Sequence, residues 1–285
     1  MATRRTASIL LALCMALGLL ALVPVTANAA VPDGPTPFNI WDFNYSVDAD
    51  GSGTYGDGSW SWVQSTKTLT LNNINHSTGS NRALELPPGA TIVLNGANSL
   101  TSTYEGFYNT NAIFVDYAGE GGNLAITGSG SLNATAGTTT ANNFSYAIEI
   151  YGSLTVGGGA TVTATGGDAP TYSIGIQTHG GGLTVGSGSM VTATGDYCAI
   201  GQNYTVPNGY KYTVSANKNG ASPSTGTSNG AFVIDGTHKY AKIVAPGSGS
   251  AKDCFKLWGK TTSWEKTPLN WFLLIVCFGF IWMWF

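Results

Sequence analysis

The sequence predicts an all-β chain folded as a right-handed parallel β-helix, a solenoid of about five coils with three short strands each. The first observation is a repeat. Tyr146-Ala147-Ile148-Glu149-Ile150 is answered by Tyr172-Ser173-Ile174-Gly175-Ile176, Leu154-Thr155-Val156 by Leu183-Thr184-Val185, and Val162-Thr163-Ala164-Thr165-Gly166 by Val191-Thr192-Ala193-Thr194-Gly195. A fixed period of this size marks a stacked repeat architecture. The second observation is alternation of apolar and polar residues within each run, the period of a strand with one buried face. The third is the glycine at the corners, at residues 157–159, 180–182 and 186–188, where sharp turns need positive φ angles. The handedness follows from the crossover rule for parallel strands.

The pattern extends in both directions. The first run places Leu84, Ile113, Ile148, Ile174 and Ile200 in one inward column. The second recurs as Ile92-Val93-Leu94, Leu124-Ala125-Ile126 and Tyr204-Thr205-Val206. The third recurs as Leu100-Thr101-Ser102-Thr103, Leu132-Asn133-Ala134-Thr135 and Val214-Ser215-Ala216-Asn217. Valine, isoleucine and threonine suit a pleated, half-buried surface, and outward threonines meet their neighbours one coil away. Five coils at ~4.8 Å per strand give a rod about 24 Å long, plus caps.

Residues 1–29 read as a secretory leader: Arg4 and Arg5 start it, residues 9–23 are its apolar centre, and Ala27-Asn28-Ala29 is a cleavage signal. Removing the leader leaves 10 basic and 15 acidic residues, a net charge of −5. That balance and the absence of a basic stripe point away from nucleic acid. Charged residues are only 9% of the chain. The aliphatic content nevertheless argues for a folded, threonine- and glycine-rich extracellular protein rather than a disordered one.

Residues 30–75 are expected to form an N-terminal cap over the solenoid's open edge. Ile40, Trp41, Phe43 and Tyr45 read as an aromatic edge strand there. Trp60-Ser61-Trp62 alternates before Leu69-Thr70-Leu71; the two tryptophans fit either cap and core or a ligand-facing platform. Asp48-Ala49-Asp50-Gly51-Ser52-Gly53, with Asp57 beyond it, resembles half of a calcium loop, since alternating carboxylates converge on a hard cation. The bidentate glutamate of a complete loop is missing, so the competing reading is an ordinary polar turn.

Trp60-Ser61-Trp62 followed by Thr66-Lys67-Thr68-Leu69-Thr70-Leu71-Asn72, then Leu86-Pro87-Pro88-Gly89-Ala90-Thr91-Ile92, then the Ala-Ile runs with Leu-Thr-Val turns, carry a family resemblance. Together they resemble the carbohydrate-binding β-helix domains of secreted proteins of Gram-positive anaerobes, which are similar in fold to pectate lyases. The resemblance spans residues 40–244. It implies binding of acidic plant polysaccharides with calcium. The family's calcium-binding carboxylates have no matching positions in this chain.

For an enzyme the residues offer little. A lyase needs a base for the α-proton, and Arg82 is the only lysine or arginine between Thr68 and Tyr210. A glycosidase needs two facing carboxylates. Glu85 and Glu149 share an outward column two coils apart, ~10 Å between backbones, and otherwise read as solvated acids. His76, His179 and His238 share no metal-ligand spacing. A binding surface has more support. Tyr146 and Tyr172 share a column before the first strand, Tyr197 lies one residue out of register, and Tyr151 follows Ile148 by three. With Glu149 they form a candidate glycan contact, because stacked tyrosines present apolar faces with hydroxyl tips to sugar rings; the alternative is that the rings only seal the coil edges.

After the last coil, residues 215–230 read as a long loop. Phe232-Val233-Ile234 and Tyr240-Ala241-Lys242-Ile243-Val244 read as a closing hairpin across Asp235-Gly236, ending a β-helix region of residues 76–246. Residues 247–268 are a linker and a segment of lysines with Trp258 and Trp264. Residues 269–285 are almost wholly apolar and as a helix span about 25 Å, slightly short of the ~30 Å hydrocarbon core. They are expected to be a membrane anchor or sorting signal. Cys198 and Cys254 are both present in the exported portion and available to pair.

The sequence therefore predicts a non-catalytic, surface-displayed polysaccharide-binding protein. A structural surface protein or adhesin using the rod as a spacer, and a polysaccharide lyase or glycoside hydrolase, are the alternatives. If the tail is an anchor, full-length protein fractionates with the cell envelope and truncation after Pro246 releases a soluble folded rod into the medium. Identical partition of the two proteins would remove the tail from that role.

Overall fold

Three parallel sheets organise the chain, and every described strand but four lies in one of them or in its antiparallel extension. The structure is a computed structural model and describes residues 50–117, 121–140 and 142–247. Sheet I has the order β1 (Gly51–Tyr55), β2 (Gly58–Val63), β3 (Thr68–Asn72), β6 (Ala90–Asn95), β10 (Leu124–Thr127), β14 (Leu154–Val156) and β17 (Leu183–Val185). Sheet II runs from β4 (Asn75–Thr78) through β7 (Ala97–Ser102), β11 (Ser131–Thr135), β15 (Thr161–Thr165) and β18 (Met190–Thr194) to β24 (Tyr240–Val244), β21 (Lys211–Ser215) and β22 (Ser224–Thr227). Sheet III stacks β5 (Arg82–Leu86), β9 (Thr110–Val115), β13 (Phe144–Ile150), β16 (Tyr172–Thr178) and β19 (Cys198–Ile200). Two small pairs, β8 (Glu105–Gly106) with β12 (Thr138–Thr139) and β20 (Tyr204–Thr205) with β23 (Val233–Ile234), complete the set. Between β3 and β19 the chain visits sheets I, II and III in that order five times. The described residues are thus all-β, and among them no helix is long and apolar enough to cross a membrane.

Alternation inside each strand turns one set of side chains to a common core, where they stack as columns. Sheet I contributes Leu69, Ile92, Ile126, Val156 and Val185. Sheet III contributes Leu84, Ile113, Ile148, Ile176 and Ile200. All of these are buried in one cluster. The expected column had Ile174 in place of Ile176. Ile174 in fact lies opposite Tyr146 and Cys198. The other sheets show the same displacement: Leu100 faces Ala134 rather than Leu132, and Leu124 faces Ala90 rather than Ile92. A slip of two residues keeps every side chain on its face, so alternation alone cannot detect it.

The ends also differ from expectation. Leu69-Thr70-Leu71, assigned to the cap, is the first strand of the parallel stack. Trp60 and Trp62 are buried in the core, on the antiparallel β2 that closes this end. At the other end Tyr204-Thr205 and Val214-Ser215 do not add a parallel turn. β20 pairs antiparallel with β23, and β21 pairs antiparallel with β24. The expected closing hairpin is therefore absent, because β24 lies between β18 and β21 and β23 has a different partner. The expected loop of residues 215–230 contains β22, paired with β21. Antiparallel strands extend sheet I beyond β3 and sheet II beyond β18, whereas β17, β4 and both end strands of sheet III, β5 and β19, terminate their sheets. The apolar tail, the linker before it and the leader lie outside the described residues.

In sheet III strict alternation breaks once per strand. Ala147 and Ile148 both belong to the core, while Tyr146 lies in a separate outer cluster with Ile174 and Cys198. The ladder skips the same place in each strand, at Ala83, Ala112, Ala147, Gly175 and Ala199. All five are small, and at Gly175 even a methyl group would sit 2.7 Å from the Thr194 amide nitrogen and 2.8 Å from the Ala199 carbonyl oxygen. The bend puts Tyr146 and Glu149, an odd number of residues apart, on the same outer face.

His76 heads the apolar column of sheet II, followed by Leu100, Ala134, Ala164, Ala193 and Ala241. It is buried, with the Tyr55 ring packed edge-on at 4.9 Å. Desolvation lowers its pKa from 6.5 to about 4. The folded state holds neutral imidazole, whereas the unfolded chain takes up a proton below pH 6.5. Stability is complete above pH 6.5 and falls as the pH drops toward 4, by about 3 kcal/mol in all. Urea unfolding across that window should show the loss, and His76→Leu should flatten it.

Candidate functional site on the outer face of sheet III

The bend at Ala147 and the parallel register bring a set of aromatic and polar side chains together outside the core. Phe144 lies opposite Tyr172, Tyr146 opposite Asn111 and Ile174, and Glu149 opposite Phe114 and Gln177. Tyr151 and His179 follow the last paired residues of β13 and β16. Rings touch in an unbroken sequence. Tyr197 meets Tyr172 at 4.3 Å between centroids, Tyr172 meets Phe144 at 5.4 Å, and Phe144 meets Tyr146 at 5.6 Å. Tyr146 meets His179 at 6.5 Å, His179 stacks on Tyr151 at 4.4 Å, and Tyr151 meets Phe114 at 6.2 Å. The Arg82 guanidinium ends the track, 3.6 Å over the Phe114 ring. The track therefore crosses all five strands of sheet III, from the β19 side to β5.

Beneath it sits Glu149, only 4% exposed. Asn111 Nδ2 donates to its Oε2 at 2.8 Å, and His179 Nε2 lies 3.1 Å from its Oε1. A buried carboxylate is tolerable only when hydrogen-bonded in this way. With Glu149 as a carboxylate, His179 Nε2 carries the proton and the ring is held in one tautomer. The His179 side chain remains 33% exposed. Two strands away Arg82 bonds Glu85 at 2.7 Å. Burial, then Glu149 and the neighbouring Tyr151, raise the Tyr146 phenol above its ordinary range. Burial, then Glu149 and Asp116, raise Tyr151, against a smaller opposing effect of Arg82. Both phenols stay as neutral O–H groups at physiological pH. Burial also pushes the Cys198 thiol up to about 11, so it packs as a small apolar group. Cys198 is a free thiol in the structure; Cys254 lies outside the described residues.

The structure brings Tyr146, Tyr151, Tyr172, Tyr197 and Glu149 onto one face, with differences in detail. Tyr146 and Tyr172 do not share a column, because the two-residue slip puts Phe144 opposite Tyr172. Tyr146 is 6% exposed, so it supports the surface rather than forming its outermost layer, whereas Tyr197 is 49% exposed. Glu149 is an enclosed, hydrogen-bonded acid rather than a solvated one. Glu85 and Glu149 do share a column, with Phe114 between them. No signal in the sequence marks Phe144, Asn111 or Phe114. His179 stands out there only as a histidine without metal-ligand spacing, and nothing shows that Arg82 pairs with the carboxylate three residues on. With the correct register, His179 falls beside Tyr151 and Asn111 beside Tyr146.

The carboxylates considered for calcium are not gathered. Asp48 lies outside the described residues. Asp50 Oδ1 accepts the Gln64 amide N–H at 2.8 Å at the open end of the β1–β2 hairpin. Asp57 sits in the turn at its other end, where Tyr55 pairs with Gly58; five residues of strand separate the two by ~17 Å. Among the described residues no group of three histidine, cysteine or acidic side chains converges as metal ligands would. Comparison with family models, with curated proteins and with solved structures finds no match to this chain.

Replacing Glu149 with alanine removes the acceptor of the Asn111 amide and the His179 ring. Hydrogen bonds to a charged group contribute roughly 1.5–3 kcal/mol each, so urea unfolding should show a loss of at least that size. A loss below 0.5 kcal/mol, on the order of an ordinary surface change, would mean that the pair does not hold the face together.

Proposed function

We propose that this chain is a non-catalytic, surface-displayed polysaccharide-binding protein built on a right-handed parallel β-helix. The threefold sheet order repeated five times supports the solenoid, and the rule for parallel crossovers supports its hand. The observation that carries the binding reading is the unbroken ring track on sheet III. Sugar rings lay their C–H faces on aromatic faces, while phenol and amide tips exchange hydrogen bonds with hydroxyl groups. The track stands on strands rather than loops, so its side chains are held before any ligand arrives, which limits the ordering cost of binding. The leader of residues 1–29 and the apolar tail of residues 269–285 support export and attachment to the envelope.

One observation favours a second reading. Glu149 and His179 form an oriented acid–base pair on the same face, as a lyase or hydrolase would use for proton transfer. A spacer role draws its support from sheet II, whose polar column Ser99, Asn133, Thr163 and Thr192 is plain.

Immobilised polysaccharides in native affinity gels distinguish the three. Full-length protein should be retarded by at least one of them without shortening it, and Tyr172→Ala or Tyr151→Ala should weaken retardation by about 2- to 10-fold, the worth of one aromatic contact. Release of reducing or unsaturated ends that disappears in His179→Ala would move the assignment to an enzyme. Unretarded migration on every polysaccharide would leave the spacer.

A further inference from the structure

We infer that the ring track takes an uncharged polysaccharide chain, laid over the outer face of sheet III from Tyr197 to Tyr151, with no metal ion bridging it to the protein. The inference rests on the polysaccharide-binding reading and gives it a ligand class and a direction.

Charge decides the class. The ionisable groups on or beside the track are Arg82, Glu85, Asp116, Glu149 and His179, together with Asp196 next to Tyr197 and the Lys218 and Asp168 bonded there. Arg82 is bonded to Glu85 at 2.7 Å and laid on Phe114 at 3.6 Å, and Lys218 is bonded to Asp196 at 2.7 Å and to Asp168 at 3.3 Å. Glu149 has both oxygens engaged, by Asn111 and His179. Five carboxylates thus face two permanent cations, each already paired with a carboxylate. A polyanion arriving here meets a field of its own sign and must compete with Glu85, or with Asp196 and Asp168, for either cation. An uncharged pyranose chain meets no such opposition and needs only ring faces and neutral hydrogen-bonding tips.

Geometry decides the direction. The contacts cross from β19 to β13 at Tyr197, Tyr172 and Phe144 and from β13 to β5 at Tyr151, Phe114 and Arg82; between these two legs they run along β13 from Phe144 to Tyr151, seven residues or ~23 Å. Phe114 and Tyr146 are buried, so the rings open to a ligand are Tyr197, Tyr172, Phe144, His179 and Tyr151. They spread over ~23 Å along β13 and two strand spacings across it, so a chain of several sugars touches more of them than a disaccharide does. The outermost ring, Tyr197, is half exposed, and the far end is the tilted Tyr151–His179 stack above Glu149.

The test is isothermal titration of full-length protein with cellohexaose, xylohexaose, cellobiose and hexagalacturonate, each with EDTA and with calcium chloride. The expected result is binding of at least one neutral hexasaccharide that EDTA does not change and that cellobiose does not match. The Tyr151→Ala/Tyr172→Ala double variant should lose roughly tenfold or more in affinity, from two aromatic contacts. The Tyr151→Phe/Tyr172→Phe variant keeps the rings and should retain most of it, with circular dichroism confirming both folds. Binding of hexagalacturonate alone, dependent on calcium, would overturn the inference while leaving polysaccharide binding in place. Neutral binding indifferent to both double variants would overturn the location. No binding of any hexasaccharide would bring down the inference and the underlying reading together.

Discussion

The small side chain at the bend of sheet III is the constraint on which the outer face depends. Ala83, Ala112, Ala147, Gly175 and Ala199 stack where each strand turns, and at Gly175 the backbone of sheet II, at Thr194 and Ala164, comes too close even for a methyl group. Because the chain bends there, two consecutive residues point inward and the alternation restarts with its phase reversed. Isoleucine and leucine then fill the core on one side, and Glu149 emerges beside Tyr146 on the other.

Parallel pairing makes that bend a property of the stack rather than of one strand. Each strand takes its hydrogen bonds from the circuits before and after it, so a bend in one must be matched in the next. The same arrangement repeats the outward columns at one strand spacing, close enough for rings to touch. The cost is an unsatisfied strand edge at either end, which the antiparallel β1–β2 pair meets in sheet I and β24 meets in sheet II. His76 shows how the ends differ from the middle: it heads an otherwise apolar column where one more circuit would have placed an aliphatic residue.

The three sheets differ in what their outer faces carry, although their inner faces are alike. Sheet II presents short polar residues and sheet III presents aromatic rings over an enclosed carboxylate. Core packing cannot be the reason, since both faces lie outside it. The charged groups on sheet III are paired among themselves, Arg82 with Glu85 and His179 with Glu149. At the more exposed Arg82 such pairing orients the side chain more than it adds stability, whereas the enclosed Glu149 depends on its hydrogen-bond partners.

Much of the fold was legible in the sequence because period-two alternation, valine- and threonine-rich runs and glycine corners are local. They determine which side chains turn inward, that three runs recur, and that the chain stacks parallel to itself. Parity relative to Ile148 and Ile150 places Glu149 and Tyr151 outward, but it does not join Tyr146 to them, since the bend at Ala147 reverses the phase. Register was not legible. Displacing one circuit by two residues against the next leaves every apolar residue inward, so Ile174 and Ile176 are equivalent to the sequence and only one of them packs against Ile148 and Ile200. The closing strands were misread for a related reason: an antiparallel partner leaves the same alternation as a parallel one. Tertiary structure alone decided that Phe144 lies against Tyr172, that His179 reaches Glu149 across thirty residues, and that Asp50 and Asp57 stand apart. Contacts between circuits are set by backbone hydrogen bonds between distant segments, and their choice depends on the lengths of the corners and the fit of side chains in the bend.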